Sequence, residues 1–218
     1  MERKFAEYSR EYIRGTVAAV DGIVFRMDRP SPEEVDGDVK SYYVRKGYYA
    51  YGMQAMCDAD CRFVSLSSSL CSSSHDSTVY NCSDFAKKIK ENKLPENFHV
   101  VMDEAYPCTE FELCPWSGKN LTVDKDAFNF YLSRQRQCIE RAFGLLVSRF
   151  GIFWRPLKMK MNRIPLVIRV CTKLHNICID RFTSEKNAKT YHNHSFDTDH
   201  QHNDRHTPIW DDRTGIYK

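Results

Sequence analysis

No run of about 18 apolar residues occurs in the 218 residues, so no membrane-spanning segment is expected. The charged start, Met1-Glu2-Arg3-Lys4, leads into no apolar signal region. The nine cysteines include no Cys-x-x-Cys pair, and several lie in apolar runs: Cys57, Cys138, Cys171 and Cys178. An odd count without paired spacing argues against a disulfide framework and suits buried free thiols in a reducing compartment. The Asn-x-Ser/Thr triplets at Asn81, Asn120 and Asn193 then read as coincidental. No internal repeat is present. The most informative shortage is of acid. Between residues 130 and 175, ten Lys or Arg are accompanied by one Asp or Glu, Glu140.

What is present is enough for one domain with a core: 42% apolar residues, with 13 Phe, 12 Tyr and 3 Trp. The net charge is only +3, but residues 130–175 alone carry +9, against −2 for residues 1–60 and −3 for residues 61–129. A basic block of that size is the footprint of polyanion binding. A solvated helix face is the blander alternative.

The run Val17-Ala18-Ala19-Val20-Asp21-Gly22-Ile23-Val24-Phe25 reads as a buried strand interrupted by one acid. Residues 28–41, rich in Asp, Glu, Pro and Ser, read as a loop. Tyr48 to Asp58 and Arg62 to Leu70 read as an antiparallel hairpin turning at Asp58-Ala59-Asp60. A serine-heavy stretch, Ser65 to Ser77, precedes a helix expected over Thr78 to Asn92. Phe98 to Asp103 reads as a fourth strand, and residues 107–121 as a loop. A long helix is predicted from Val123 to Phe150, with Phe128, Tyr131, Leu132, Ile139, Ala142, Phe143, Leu146 and Phe150 as its core stripe. Pro165 opens a last helix, Leu166 to Asp180, with Val167, Val170, Cys171, Leu174, Ile177 and Cys178 as its apolar face. The predicted organisation is a segment 1–16, a domain 17–182, and a polar, His-rich tail 183–218 read as disordered.

Three acids stand out by position: Asp21 within the first strand, Asp103 at the end of the fourth, and Glu140 on the long helix. Strand ends and a packed helix can converge at one end of a sheet. Three carboxylates brought together repel one another unless a cation neutralises them. Hard divalent ions such as Mg²⁺ take oxygen ligands, and a pair of them can activate water for phosphodiester cleavage. Each acid alone has a bland reading: an edge or turn residue for Asp21, a turn cap for Asp103, an ion pair with Arg136 or Arg141 for Glu140.

The motifs Ala19-Val20-Asp21-Gly22, Arg45-Lys46-Gly47-Tyr48, Gln54 to Asp60, His75-Asp76-Ser77, Asp103-Glu104-Ala105-Tyr106-Pro107, Glu140-Arg141-Ala142-Phe143-Gly144 and Leu174-His175-Asn176-Ile177-Cys178 occur in that order. In that combination the chain resembles the catalytic domain of PIF/Harbinger-type transposases and the nucleases derived from them, in the DDE endonuclease superfamily. The resemblance implies an α/β, RNase H-like fold. It also implies a divalent metal cofactor (Mg²⁺ or Mn²⁺) held by Asp21, Asp103 and Glu140, and a DNA endonuclease activity. A catalytically inactive relic that binds DNA or protein is the alternative. The sequence departs from the family at Ile23-Val24, where Thr or Cys and then His are common, and at Leu70 to Ser74, where a tight Trp-Pro-Gly-Ser-like turn is usual.

Arg45, Lys46, Arg134, Arg136, Arg141 and Arg149 are the candidate DNA-backbone contacts. His75 and Asp76 are candidates to support the metal site, against a better reading as a helix cap. Tyr106 suits base stacking and a core position equally. Gly144 suits close approach of a backbone and helix packing equally. His175 reads as a satisfied core histidine. Only 20 residues precede Asp21, so DNA is expected to be recognised with a separate DNA-binding protein supplying the targeting. A nuclear location and a homo-oligomer are compatible with that picture.

Overall fold

The computed structural model describes residues 1–68, 76–91 and 94–189, and a short strand pair at 210–211 and 216–217. Its centre is β1 (Thr16–Arg26), the strand expected around Asp21. β1 pairs antiparallel with β3 (Tyr48–Cys57), which folds back through the Asp58-Ala59-Asp60 turn into β4 (Phe63–Ser68). The short β2 (Tyr43–Val44) borders the start of β3. On its other edge β1 pairs in parallel with β5 (His99–Val101), and β5 with β6 (Glu112–Leu113), inside the stretch read from sequence as loop. The result is an open, mixed sheet in the order β2-β3-β1-β5-β6, with β4 on β3.

Strand side chains alternate between faces, and the core divides accordingly. Ala19, Phe25, Met53, Ala55, Cys57 and Val101 face one layer of helices. That layer comprises α1 (Glu2–Tyr8), α4 (Val123–Arg149) and α5 (Ile164–Lys189). Ala18, Val20, Val100 and Met102 face the other layer, α2 (Asp76–Cys82) and α3 (Asp84–Lys90). The single helix expected over Thr78 to Asn92 is therefore two. The break falls at Ser83, whose hydroxyl caps α3 by accepting the Ala86 N–H at 3.2 Å.

The core stripe expected on α4 is the one observed, with Leu132, Ile139, Ala142, Phe143 and Leu146 buried. That expected on α5 holds only at Cys171, which is buried, and Val167, which packs on the core. Ile164, Ile168, Cys171 and His175 are buried, whereas Val170, Leu174 and Ile177 are exposed together with Leu166. α5 carries two apolar stripes, and the one buried is that which meets α4 and the start of β4. The helix also runs to Lys189 rather than ending near Asp180, since no Gly or Pro interrupts it. Further on, β7 (Trp210–Asp211) and β8 (Ile216–Tyr217) pair antiparallel within the segment read as a tail. Residues 190–209, with the tail histidines, lie outside the described residues. Among the described residues the cysteines are free, and Cys57, Cys138 and Cys171 are buried. No described helix is long and apolar enough to cross a membrane.

The segment 1–16, set apart in the sequence, packs against the domain. Phe5 and Ala6 of α1 are buried, and a polar network fastens the turn between α1 and β1. The buried Gln135 of α4 donates to Phe5 O (2.8 Å), Ser9 Oγ (3.1 Å) and Ile13 O (3.0 Å) and accepts from Thr16 Oγ1 at 2.7 Å. Thr16 in turn meets His99 Nε2 at 2.8 Å. Its one hydroxyl proton is given to Gln135, so the His99 ring donates to it from Nε2.

Burial drives the His99 pKa down from 6.5 to about 4. The folded state thus prefers neutral His99. Its contribution to stability is complete above the unfolded-state pKa of 6.5 and is lost as pH falls from there towards 4. A loss of up to about 3 kcal/mol is expected across that window. Urea midpoints measured from pH 7 to 4.5 check it, and a His99→Gln chain should show a flatter profile.

Gly15 precedes β1 with φ +86°, and a Cβ there would lie 2.1 Å from Asn97 O. The same backbone approach lets His99 N donate to Gly15 O at 2.9 Å. Gly15→Ala is expected to cost about 2 kcal/mol or more, because both the left-handed conformation and the close contact oppose a side chain. Denaturant unfolding measures it; a loss below about 0.5 kcal/mol would contradict the geometry.

Candidate active site

Ala19 and Val101 are register partners in the parallel β1–β5 pair. Two residues beyond them in sequence come Asp21, still on β1, and Asp103. Alternation puts Asp21 on the face of Ala19, which is the face covered by α4, and Asp103 reaches that helix through its contact with Arg136. Opposite Asp21 in the antiparallel pair is Ala55, on β3. The Asp21 carboxylate accepts the Gly22 N–H at 2.8 Å. Asp103 lies just past β5, where Met102 N still bonds Leu113 O at 2.9 Å.

α4 supplies the third acid. Arg136 and Glu140 are one helical turn apart, and the Arg136 guanidinium reaches both neighbours. Nη1 lies 3.4 Å from Asp103 Oδ1, and Nη2 lies 3.8 Å from Glu140 Oε1. Asp103 and Glu140 are thus joined through one cation. Among the described residues, however, no three His, Cys, Asp or Glu side chains are grouped closely enough to hold a metal ion as they stand. The expected convergence is therefore seen in the placement of the acids about α4 and in the Asp103–Arg136–Glu140 link, not as a closed cage. The donor chemistry itself fits a hard divalent cation: all three acids offer oxygen ligands, and two already share a positive charge.

The other candidates separate into solvent-facing and structural groups. Arg45 and Lys46 are exposed at the turn between β2 and β3. Arg134 lies against the Phe130 ring at 5.9 Å, and Arg141 over the Tyr8 ring at 5.1 Å. Arg136 is turned inwards to the two acids. Arg149 donates to His175, at 3.0 Å from Nδ1 and 3.3 Å from the carbonyl. His75 lies outside the described residues, as does the side chain of Asp76, whose backbone opens α2.

Several motif residues fasten the scaffold. His175, buried and with its pKa lowered by burial, places Nε2 2.9 Å from Cys61 O. Asn176 accepts from Phe63 N at 2.9 Å and donates to Phe63 O at 2.8 Å, which satisfies backbone on the outer strand β4. Asp58 shapes the β3–β4 turn by accepting the Asp60 and Arg62 N–H groups at 2.9 Å. Asp60 holds Lys4 of α1 at 2.6 Å. Tyr106 is a core residue: it is buried, edge-on to Tyr80, and its hydroxyl donates to Gln54 Oε1 at 3.0 Å. Sequence reasoning had the Arg136–Glu140 pair as an alternative but missed the contact of Arg136 with Asp103 and the network on Gln135. The spacing of four was the usable signal for that pair.

These features define an open-sheet α/β domain with acids under the basic stretch of a long helix. A model of the family described as DDE superfamily endonuclease matches residues 20–176. The chain belongs to that family, as its resemblance to PIF/Harbinger-type transposases implied. The strand order, with β3 antiparallel between β1 and β4, fits an RNase H-like arrangement. A protein described as "Protein ALP1-like" from Arabidopsis thaliana is 29% identical over 148 residues, covering 61% of this chain and 36% of that protein. The chain therefore spans about a third of the length of that curated relative. No solved structure matches.

Proposed function

We propose that the chain is a divalent-metal-dependent DNA endonuclease derived from a transposase. The observation that carries this reading is the placement of the acids about α4. Asp21 and Asp103 each follow by two residues the register pair Ala19–Val101, and Asp103 is tied to Glu140 through one guanidinium. Asp21, Asp103 and Glu140 would hold Mg²⁺ or Mn²⁺. Such ions supply the charge that activates water and stabilises the leaving oxygen of a phosphodiester. Asp21 and Asp103, on or beside strands, keep their carboxylates in fixed relation. Glu140, exposed on a helix, is the adjustable member. Arg45, Lys46, Arg134 and Arg141 would hold phosphates, with exposed Arg155, Lys158, Lys160, Arg163, Arg169 and Lys173 extending the basic surface. Phosphate contacts carry little sequence information, so targeting falls to a separate DNA-binding protein, and the site of action to the nucleus.

One observation favours a second reading, a relic that binds DNA without cutting it: the three acids are not gathered into a ready metal group among the described residues. Nicking of supercoiled plasmid by the purified chain with Mg²⁺ or Mn²⁺, against an EDTA control, separates the two. The endonuclease converts the plasmid to open circles only when metal is present. The relic retards it, in a salt-sensitive way, and leaves it intact.

A further inference from the structure

Three observations on Arg136 do not fit a residue that merely holds phosphate. Its side chain is only 14% exposed and points to Asp103 and Glu140 rather than to solvent. Each acid is met by one nitrogen, at 3.4 Å and 3.8 Å, instead of by the parallel two-bond fork that Arg and a carboxylate form when the pair is built for strength. The Nε is fully buried and has no hydrogen-bond partner. A purely structural arginine is also poorly described by this. Buried guanidinium nitrogens are normally satisfied, and one left without a partner costs stability.

We propose that Arg136 is an exchangeable counter-ion. Without a divalent cation its guanidinium holds Asp103 and Glu140 together, and a divalent cation that takes up these carboxylates displaces it. This rests on the reading of the acids as a cation site. The physical argument is one of charge and size. Two carboxylates that face each other repel, and a singly charged fork between them relieves the repulsion. A doubly charged, compact ion relieves it further and binds oxygen at about 2.1 Å. It competes for the same oxygens, so the two cations exclude one another there. Once released, the guanidinium lies one turn before Glu140 in the basic stretch of α4, free to meet a phosphate. Arming of the site and grip on the substrate are then linked, each favouring the other. The long, one-nitrogen contacts and the unpartnered Nε are what a readily released clamp requires.

The test is Mn²⁺ binding to the full chain without DNA, by calorimetry, together with thermal unfolding in EDTA and in saturating Mn²⁺. The variants are Arg136→Gln, Arg136→Lys and Arg134→Gln. The last removes the same charge from the same helix without touching the acids. Arg136→Gln is expected to bind Mn²⁺ roughly tenfold tighter than the unchanged chain, and clearly tighter than Arg134→Gln. Its Tm should fall in EDTA and recover in Mn²⁺. Arg136→Lys, which keeps the charge but loses the fork, should lie between, and it serves if the Gln variant does not fold. The proposal is overturned if Arg136→Gln binds Mn²⁺ no tighter than Arg134→Gln, or if its Tm is lowered equally with and without Mn²⁺, as a structural arginine would show. Asp103→Asn separates the two levels. If the unchanged chain binds no Mn²⁺, or binds it equally well after Asp103→Asn, the cation site itself fails and the counter-ion role with it.

Discussion

Asp21→Asn, Asp103→Asn and Glu140→Gln are each expected to lower metal-dependent plasmid nicking at least about a thousandfold while leaving the protein folded. Each change keeps the shape of the side chain and removes the charge, so what is lost is the ability to hold a hard cation, not packing. The stability cost should be small for Asp103 and Glu140. Their side chains are 49% and 58% exposed, and their pairs with Arg136 are long. The replaced side chain stays solvated and the 14%-exposed Arg136 keeps the other acid as a partner, so the loss should be about 1–2 kcal/mol. For Asp21, an asparagine oxygen can still accept the Gly22 N–H. DNA binding should persist or strengthen slightly, because a negative charge near the phosphate path is removed. Nicking rates set beside Tm and a DNA-retardation assay make the check. A variant that keeps more than about a tenth of the nicking rate would remove that acid from the site.

The positions of Asp21, on β1, and Asp103, just past β5, were legible because the strands beside them were. An apolar run with a single charge in it has few other readings, and β1 spans the predicted run with one residue added at each end. The β3–β4 hairpin was equally plain from its Asp-Ala-Asp turn. β6 was not legible. It is two residues long, and it forms only because β5 offers a parallel edge, which is a tertiary effect. α1 escaped for a related reason. A seven-residue helix with charges at four positions shows little periodicity, and it is held by Gln135 and Asp60, both distant in sequence.

α5 shows a different limit. Leu166, Val170, Leu174 and Ile177 recur at helical spacing as regularly as Ile164, Ile168, Cys171 and His175. Hydrophobicity favours the first set, and the core takes the second. The histidine looks like a liability until its two partners, Arg149 and Cys61, are seen. The same holds at the site. The sequence marked Arg136 as a cation in a basic block, and a basic block is read as facing phosphate. The spacing of four to Glu140 hints at one partner, but the contact with Asp103 depends on where the end of β5 lies relative to α4, and no local pattern encodes that.

Gln135→Leu is expected to be the most destabilising single change in the α4 layer outside its apolar stripe, at about 3 kcal/mol or more. Leucine is close in size, so the space stays filled. The polar groups around it do not stay satisfied. Phe5 O keeps only a long bond from Ser9 N at 3.4 Å, Ile13 O must share the Ser9 hydroxyl proton with Ala6 O, and the Thr16 hydroxyl loses its acceptor, all in a region with almost no exposure. Each buried group left unpaired costs about 1–3 kcal/mol, and relaxation of the segment 9–15 recovers part of the sum. That relaxation has a location. The Gln135 amide is the point where the end of α1, the turn after it and the start of β1 meet, so its loss should free the N-terminal segment before the sheet opens. Hydrogen exchange should therefore rise first at residues 2–13, and limited proteolysis should cut near Arg10 and Arg14 while the sheet remains protected. Ser9→Ala, which removes one of the network's partners and keeps the glutamine, should cost about 1–2 kcal/mol and expose the same segment less. Gln135→Leu with a loss under about 1 kcal/mol, or with exchange rising evenly over the whole chain, would show that α1 is held by Phe5 packing alone.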